Sequence, residues 1–224
     1  LGWMHEEGFT ERELGLQLHG PKVPKRLPHY LSVDEALALL KSVSNQTKSL
    51  VDDPKKKLEA FRDHALILLL YGGGLRVSEA CGLQWKQIDF DRRTLRIKGK
   101  GSKERIVAVA PHVISALELI RNDFAFVFGR TAMDSRKAYD IVRGQGQRAG
   151  LLKPLHPHAL RHSFATHLLT SGANLRTLQE LLGHANLQAT QRYTHLGVDQ
   201  LARTMEQFHP LGETRSKGGS KKSS

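Results

Sequence analysis

Six polar residues spread along the chain have the types that phosphate chemistry requires: Arg76, Lys100, His158, Arg161, His184 and Tyr193. Guanidinium groups bind phosphate oxygens through paired hydrogen bonds. Lysine and histidine side chains can transfer protons, and a tyrosine hydroxyl can act as a nucleophile. Together these residue types predict a site at which a phosphate ester is bound and attacked.

The first arginine lies where a glycine run meets a predicted helix start, in the segment GLRVSE (residues 74–79). The guanidinium of Arg76 would project beside backbone N–H groups that have no partner within the helix, which favours an anion there. Glu79, three residues later, could orient Arg76 or pair with it. The alternative is an ordinary surface pair at helical spacing.

The lysine lies in a basic turn with the sequence KGKGSKER (residues 98–105). Glycines flank Lys100, so a flexible turn could carry its ammonium into a phosphate site, where it would donate a proton. The alternative is a solvated turn that only contacts a nucleic-acid backbone, and we favour that role for Lys103. Lys98 and Arg105, at the two ends of the segment, are further candidates for backbone contacts.

A third segment, HPHALRHSFATH (residues 156–167), places His158 and Arg161 three residues apart on one face of a predicted helix. Both lie in its first turns, where the helix dipole favours an anion. His158 and His162 have the spacing of a metal site, but no carboxylate or thiolate is near in sequence and Arg161 would repel a cation. We therefore predict no metal or other cofactor, and packing or capping roles for His162 and His167.

The fourth segment is LLGHANLQATQRYTH (residues 181–195). His184 comes just after a predicted helix end, so its ring is available rather than committed to a core. Tyr193 follows on a short polar helix. Alone it would be an unexceptional surface tyrosine, but with two arginines, a lysine and two histidines it becomes a candidate nucleophile.

Composition narrows the class of partner. The 224 residues include 34 Lys and Arg against 22 Asp and Glu, a formal net charge of +12, which favours a polyanionic partner. The single cysteine, Cys81, excludes an internal disulfide, fits a reducing cytoplasm and is predicted to be a core residue. No apolar run approaches the roughly 20 residues that span a bilayer. The acidic start lacks the pattern of a secretory signal, so we predict no membrane association.

Periodicity predicts the elements that must position these residues: a mainly α domain with one small antiparallel sheet (α+β). Ser32 and Glu35 form a capping box at the start of the first helix, and residues 42–57 are predicted to be a polar loop. The two strands cover residues 94–98 and 105–109. The later helices are predicted at residues 58–71, 77–83, 112–121, 134–149, 157–171, 175–182, 187–194 and 199–207.

Taken in order, these segments resemble the active-site motifs of the tyrosine recombinases. The sequences GLRVSE, GKGSKER, HPHALRHSFATHLL and LLGHANLQATQRYTH are similar to the Xer subgroup, the bacterial chromosome-dimer resolvases, over about residues 21–210. The resemblance implies the tyrosine recombinase catalytic-domain fold. It also implies a site-specific recombinase that cleaves and rejoins double-stranded DNA through a 3′-phosphotyrosyl intermediate and resolves chromosome dimers at cell division.

The resemblance also implies roles for the site residues. Tyr193 would attack the scissile phosphate, and Lys100 would protonate the leaving 5′ oxygen. Arg76 and Arg161 would hold the non-bridging oxygens. No metal or nucleotide would be needed, because the phosphotyrosine keeps the bond energy for rejoining.

Supporting roles and partners follow from the same resemblance. His158 would act as acid–base or position the tyrosine, His184 would hydrogen-bond the phosphate, and Glu79 would support Arg76. Recombinase subunits, identical or paralogous, would assemble in a synaptic tetramer, with residues 201–210 docking onto a neighbour. A septal DNA translocase would be a further partner.

Domain limits are expected from the same comparison. Residues 1–20 would be the end of an N-terminal core-binding domain that is otherwise mostly absent, and residues 21–30 a linker. Residues 31–210 would form the catalytic domain, and residues 211–224 a disordered basic tail. One residue departs from the pattern, since Gly73 stands where a threonine or alanine is expected.

Three alternatives remain open at this point. A phage or mobile-element integrase would share the chemistry and act on other sites. A type IB topoisomerase-like enzyme would relax supercoils without paired sites. A DNA-binding module with an inactive site is the alternative of a different class, although all six catalytic positions carry suitable residue types.

Overall fold

The computed structural model describes residues 30–49, 53–98, 104–182 and 195–212 of the chain. In chain order the elements are α1 (Val33–Ser49), α2 (Pro54–Gly72), α3 (Val77–Cys81), a 3-10 turn (Trp85–Gln87), β1 (Ile88–Asp89), β2 (Thr94–Lys98), β3 (Glu104–Ala108), α4 (Pro111–Leu119), α5 (Ser135–Arg148), α6 (Pro157–Thr170), α7 (Leu175–Leu182) and α8 (His195–Phe208). The predicted fold class, mainly α with a small antiparallel sheet, is confirmed. The expected N-terminal helix end, most of the linker and the helix at 187–194 lie outside the described residues.

The centre of the domain is α2. The Asp53 side chain caps its start by accepting hydrogen bonds from two backbone N–H groups, and Pro54 occupies the first turn, where a missing N–H does no harm. Residues 65–72, which form the second half of the helix, are all buried. A helix that is apolar on every side must be covered on every side. It packs against α1, α4, α5 and α6.

The polar loop predicted at residues 42–57 is wrong, because most of that segment is helical. Helix α1 continues to Ser49, with Val43 and Thr47 buried one turn apart on the face that begins with Leu39. The Thr47 hydroxyl donates to the carbonyl of Ser44, and Gln46 reaches the Gln145 side chain on α5. Polar residues occupy the solvent side of this helix, which hid its apolar face in the sequence. The predicted capping box of Ser32 and Glu35 is confirmed.

The sheet has three antiparallel strands in the order β1-β2-β3. The predicted pair β2–β3 is confirmed, with Leu95 opposite Val107 and Ile97 opposite Arg105. Strand β1 was not predicted, because two residues are too few to show an alternating pattern. The predicted turn at residues 99–103, which contains Lys100 and Lys103, lies outside the described residues.

The C-terminal segment packs on its own chain, and the docking of residues 201–210 onto a neighbour stays a prediction. Leu201 and Met205 of α8 are 2% and 1% exposed, and His209 is fully buried. Arg93, in a left-handed conformation (φ 53°) in the turn between β1 and β2, pairs with Glu206 of α8. Helix α8 also packs against β3, α6 and α7. Its buried face is therefore already covered within the chain.

Two residues that we placed in the tail belong to the fold. Leu211 donates its backbone N–H to a ring nitrogen of His209 and packs against the core, and Gly212 is buried. Within the described residues, no helix combines the length and the apolar character that crossing a membrane requires.

Candidate active site

The site begins at the glycine run after α2. Gly74 has a φ of +60°, a conformation that glycine adopts freely, and a Cβ atom there would lie 2.4 Å from the Phe164 ring. This turn directs the chain away from the core, so that Arg76 stands at the N-cap of α3 with an extended backbone. The Arg76 side chain is 43% exposed. The glycine turn therefore leads the chain to the exposed position of the first arginine.

One carboxylate organises the arginines around it. Glu79 Oε2 accepts the Arg76 backbone N–H at 2.8 Å, and Oε1 accepts Arg76 Nη1 at 2.9 Å. The Arg105 guanidinium binds the same carboxylate through both of its terminal nitrogens, each at 2.8 Å. The Glu79 side chain is only 8% exposed. The expected support of Arg76 by Glu79 is thus present as a pair of direct hydrogen bonds.

Arg161 reaches the same place from α6. One terminal nitrogen hydrogen-bonds the carbonyl of Gly74, and the other donates to the carbonyl of Leu182 at 2.7 Å. Leu182 is the last residue of α7, where helix carbonyls lack internal partners and a cation is favoured. Arg161 Nη1 also lies 4.0 Å from Glu79 Oε2. The guanidinium is therefore held between the glycine turn and the end of α7.

The acidic and basic side chains of this site are charged at neutral pH. Burial raises the pKa of the Glu79 carboxyl, but the hydrogen bonds from Arg105 and Arg76 outweigh it and bring the pKa down to about 2. Burial and the charge of Arg76 lower the pKa of Arg161 to about 10, which leaves it protonated at neutral pH. Three guanidiniums against one carboxylate give the cluster a formal charge of +2. The arrangement can bind an anion at the exposed side of Arg76.

The other expected site residues fall into three groups. His158 is exposed on α6, three residues before Arg161, and Lys98 is exposed at the end of β2. Arg105 differs from expectation, because its side chain is 9% exposed and bound to Glu79 rather than presented to a nucleic-acid backbone. The remaining expected residues lie outside the described residues: Lys100, Lys103, His184 and Tyr193.

Sequence reasoning placed Arg105 on the surface because it ends a run of basic residues. The signal for its burial was present, since Arg105 and Val107 are two residues apart in one strand and share a face. Val107 is fully buried, and Ile97, opposite Arg105, is 2% exposed. The alternation of the strand was thus a better guide than the charge of the residue.

The other histidines of the third segment have structural positions. His167 is buried between the Tyr71 hydroxyl and the Leu31 carbonyl, and the His162 ring meets the edge of Tyr30. The packing role predicted for His167 is confirmed, whereas His162 is exposed and contacts Tyr30 at its edge. Among the described residues, no three histidine, cysteine, aspartate or glutamate side chains are grouped so as to hold a metal ion.

A mainly helical domain that holds three arginines around one carboxylate has the fold and the charge of an anion-binding domain. Comparison with known proteins specifies the class further. Residues 43–199 match the phage integrase family. The tyrosine recombinase XerC of Xanthomonas axonopodis pv. citri is 38% identical over 216 residues, which cover 93% of this chain and 67% of that protein. The chain belongs to the phage integrase family, and its XerC relative is a tyrosine recombinase.

Solved structures agree with this assignment. The integrase from mycobacterium phage Brujita has a TM-score of 0.66 at 25% identity, over 93% of this chain and 67% of its own. The XerH site-specific recombinase bound to its palindromic difH substrate has a TM-score of 0.61 at 28% identity, over 82% of this chain and 54% of its own. The chain thus spans about two thirds of the length of its curated relative and about half of the XerH chain.

Proposed function

We propose that this chain is the catalytic part of a site-specific tyrosine recombinase, which cleaves and rejoins DNA without a metal ion. One observation carries the proposal: Arg76 and Arg161 converge on the Glu79 carboxylate in a cluster with a formal charge of +2. Such a cluster suits a phosphodiester, whose negative charge increases as a nucleophile adds to phosphorus. Membership of the phage integrase family supports the same conclusion.

The proposed reaction is a phosphoryl transfer that conserves one phosphate ester. The Tyr193 hydroxyl gives its proton to His158 or to solvent, and its oxygen forms a bond to phosphorus while the bond from phosphorus to the 5′ oxygen breaks. Lys100 gives its proton to that 5′ oxygen, and Arg76 and Arg161 bind the non-bridging oxygens during the transfer. Attack by a 5′-hydroxyl on the 3′-phosphotyrosine reverses these steps and releases Tyr193.

The remaining roles are those of neighbouring groups. His158 precedes Arg161 by one turn of α6, and we assign it to proton transfer or to positioning of the tyrosine. His184 follows Leu182 by two residues in the sequence, and the Leu182 carbonyl binds Arg161. We assign His184 to a hydrogen bond with the phosphate. Lys98 and Lys103 are assigned to the DNA backbone on either side of Lys100.

The proposed setting is chromosome-dimer resolution in the cytoplasm at cell division. The names of the curated relatives support it, since they include tyrosine recombinases XerC and XerD at 38% identity. Two DNA duplexes and four recombinase subunits, identical or paralogous, would form the synaptic complex, and a septal DNA translocase would activate it. The XerH recombinase bound to difH DNA is a structural precedent for a DNA-bound form.

A phage or mobile-element integrase is the second candidate. The Brujita phage integrase matches 93% of this chain, a larger share than the 82% matched by the XerH recombinase. Both candidates use the same cleavage chemistry and differ in the DNA sequence that they recognise. Recombination of Xer-type sites but not of phage attachment sites would favour the first candidate, and the opposite result would favour the second.

A covalent-capture experiment tests the chemistry. The purified chain is mixed with a nicked DNA duplex that carries a Xer-type site and traps the cleaved product, in the presence of a metal chelator. A protein–DNA band that survives denaturation is expected for wild type and for Tyr139→Phe, which alters an exposed tyrosine of α5. Tyr193→Phe should give none. If Tyr193→Phe kept the band, the nucleophile would be misassigned, and DNA binding without a band on any site would favour an inactive binding module.

A further inference from the structure

Arg105 occupies a position where a charged residue needs a specific partner. It lies on β3 opposite Ile97, so its side chain shares the core-facing side of the sheet with Leu95 and Val107. Its side chain is 9% exposed. A guanidinium at such a position is desolvated, and desolvated charges persist only when they are paired. Glu79 supplies that pairing through two hydrogen bonds of 2.8 Å.

The pairing changes what Glu79 does to the other arginines. Without Arg105, the carboxylate charge would act on Arg76 at 2.9 Å and on Arg161 at 4.0 Å alone. The cluster would then carry +1 instead of +2, so the negative charge that develops on the phosphate during cleavage would be stabilised by a weaker field. The fork of Arg105 also fixes both carboxylate oxygens, and the Arg76 guanidinium and backbone bind those same oxygens. Arg105 thus controls both the charge and the orientation of the site.

We propose that Arg105 is a positioning residue for DNA cleavage: it neutralises Glu79 and fixes its carboxylate, so that Arg76 and Arg161 keep their positive charge for the scissile phosphate. The inference rests on the proposed recombinase function. It replaces the DNA-backbone contact expected from the basic run, because the guanidinium is turned toward Glu79. It also links β3, which comes shortly after Lys100 in the sequence, to the helix that presents Arg76.

The test compares Arg105→Met with a charge-balanced double variant, Glu79→Gln with Arg105→Met. In Arg105→Met the Glu79 charge is left uncompensated. We expect the single-turnover rate of covalent complex formation to fall roughly 10- to 100-fold, the loss that is typical when a residue that orients a ligand-binding side chain is removed. In the double variant the carboxylate charge is gone as well, so the formal charge of the cluster returns to +2. Its rate should recover by about 10-fold over the single variant.

The double variant keeps the test valid if Arg105→Met does not fold. Removing one member of a buried ion pair destabilises a protein strongly, whereas replacing both members is often tolerated. In that case only the double variant can be assayed, and it should cleave at a rate within roughly 10-fold of wild type. Arg143→Met, which removes an exposed arginine of α5, is the matched control and should cleave as wild type does.

Binding measurements separate positioning from a DNA contact. If Arg105 acts through Glu79, Arg105→Met should keep the wild-type affinity for an uncleaved duplex and the same dependence of affinity on salt. An unchanged cleavage rate in Arg105→Met, a double variant as slow as the single one, or a loss confined to salt-dependent affinity would each overturn the proposal. Absence of a Tyr193-dependent covalent complex in wild type would instead overturn the proposed function.

Discussion

Two clusters of polar side chains in the domain differ in how they carry charge when they are buried. The Arg76–Glu79–Arg105–Arg161 cluster keeps all of its charges, whereas Tyr71, His167 and His209 form a neutral network. Phe164 lies beside the glycine turn that precedes Arg76 and beside the neutral network, since a Cβ at Gly74 would meet its ring and the His209 ring lies 5.4 Å away, centre to centre. The glycine turn that follows Tyr71 separates the two clusters along the chain.

The neutral network joins four distant segments. His167 binds the Leu31 carbonyl through Nε2 at 2.8 Å and the Tyr71 hydroxyl through Nδ1 at 2.9 Å. Because a carbonyl only accepts, Nε2 carries the proton and Nδ1 accepts from the tyrosine. His209 likewise binds the Tyr71 carbonyl at 3.2 Å and accepts the Leu211 backbone N–H. Both rings have their hydrogen bonds satisfied in the neutral form.

The difference shows that the partners of a buried group decide its charge, more than its depth does. Burial lowers the pKa of His209 to about 3, and the hydrogen bond to the Tyr71 carbonyl, which raises the pKa, does not compensate for it. Glu79 is also buried, yet two arginines keep its pKa near 2 and the carboxyl ionised. The cluster assigned to phosphate binding therefore stays charged, whereas the network of Tyr71, His167 and His209, which joins distant segments of the chain, stays neutral.

The largest effect is expected from the charged cluster. Arg161→Ala should lower the rate of covalent complex formation by about 100- to 1,000-fold, the size typical of losing one donor to a developing negative charge. Arg161→Lys should be nearly as poor, because an ammonium cannot reproduce the two divergent hydrogen bonds to Gly74 and Leu182. Single-turnover rates together with circular dichroism check this. A wild-type rate in Arg161→Ala would show that Arg161 of the charged cluster does not contribute to cleavage.

The next largest effect is expected at Gly74, in the glycine turn between the two clusters. Gly74→Ala would place a Cβ 2.4 Å from the Phe164 ring at a φ of +60°. We expect the free energy of unfolding to fall by about 2–4 kcal/mol, from overpacking and left-handed strain together. Gly73→Ala is the matched control: its φ is −118°, and the Cβ would lie 3.0 Å from the Leu69 carbonyl oxygen and 3.1 Å from a Val109 methyl, so a loss of about 1 kcal/mol is expected. Equal losses in urea unfolding would contradict this account.

Acid should distinguish the clusters by the pH at which each titrates. The pKa of His209 is lower in the fold than its ordinary value of 6.5, so its contribution to stability is complete above pH 6.5 and is lost as the pH falls toward 3. Between pH 6.5 and 5 this amounts to roughly 2 kcal/mol. The Glu79 contribution is present above its ordinary pKa of 4.5 and is lost only as the pH falls toward 2.

Urea unfolding at a series of pH values measures this dependence. His209→Gln should reduce the slope of stability against pH between 6.5 and 5 by about one proton, whereas Glu79→Gln should change the slope only below pH 4.5. If His209→Gln left the slope as it is in wild type, the neutral network would not be what titrates in this range.

The smallest effect concerns a single hydrogen bond of the neutral network. Tyr71→Phe removes the hydroxyl that donates to His167 Nδ1 and leaves a buried acceptor without its partner. The free energy of unfolding should fall by about 1–2 kcal/mol, with the cleavage rate unchanged. Tyr139→Phe, at an exposed tyrosine, should change it by less than about 0.5 kcal/mol. A loss of cleavage in a stably folded Tyr71→Phe would show that the two clusters are coupled.

Much of the fold was predictable because local patterns determined it. Helices α4 to α7 and the β2–β3 hairpin follow from apolar spacing, from proline at helix starts and from the change of period near residue 94. Arg76, Glu79, His158 and Arg161 were predicted from residue types at fixed spacing. The missed part of α1 and strand β1 had weak local patterns, one masked by polar solvent-facing residues and the other only two residues long.

The sequence by itself determined the elements and the residue types of the site, since both depend on neighbours a few positions apart. Only the tertiary structure decided that Arg105 faces inward to Glu79, 26 residues away, and that Arg161 binds Gly74, 87 residues away. It also decided that α8 packs on its own chain. A charged side chain is equally compatible with solvent or with a buried partner, and the choice depends on which surfaces meet when the chain closes.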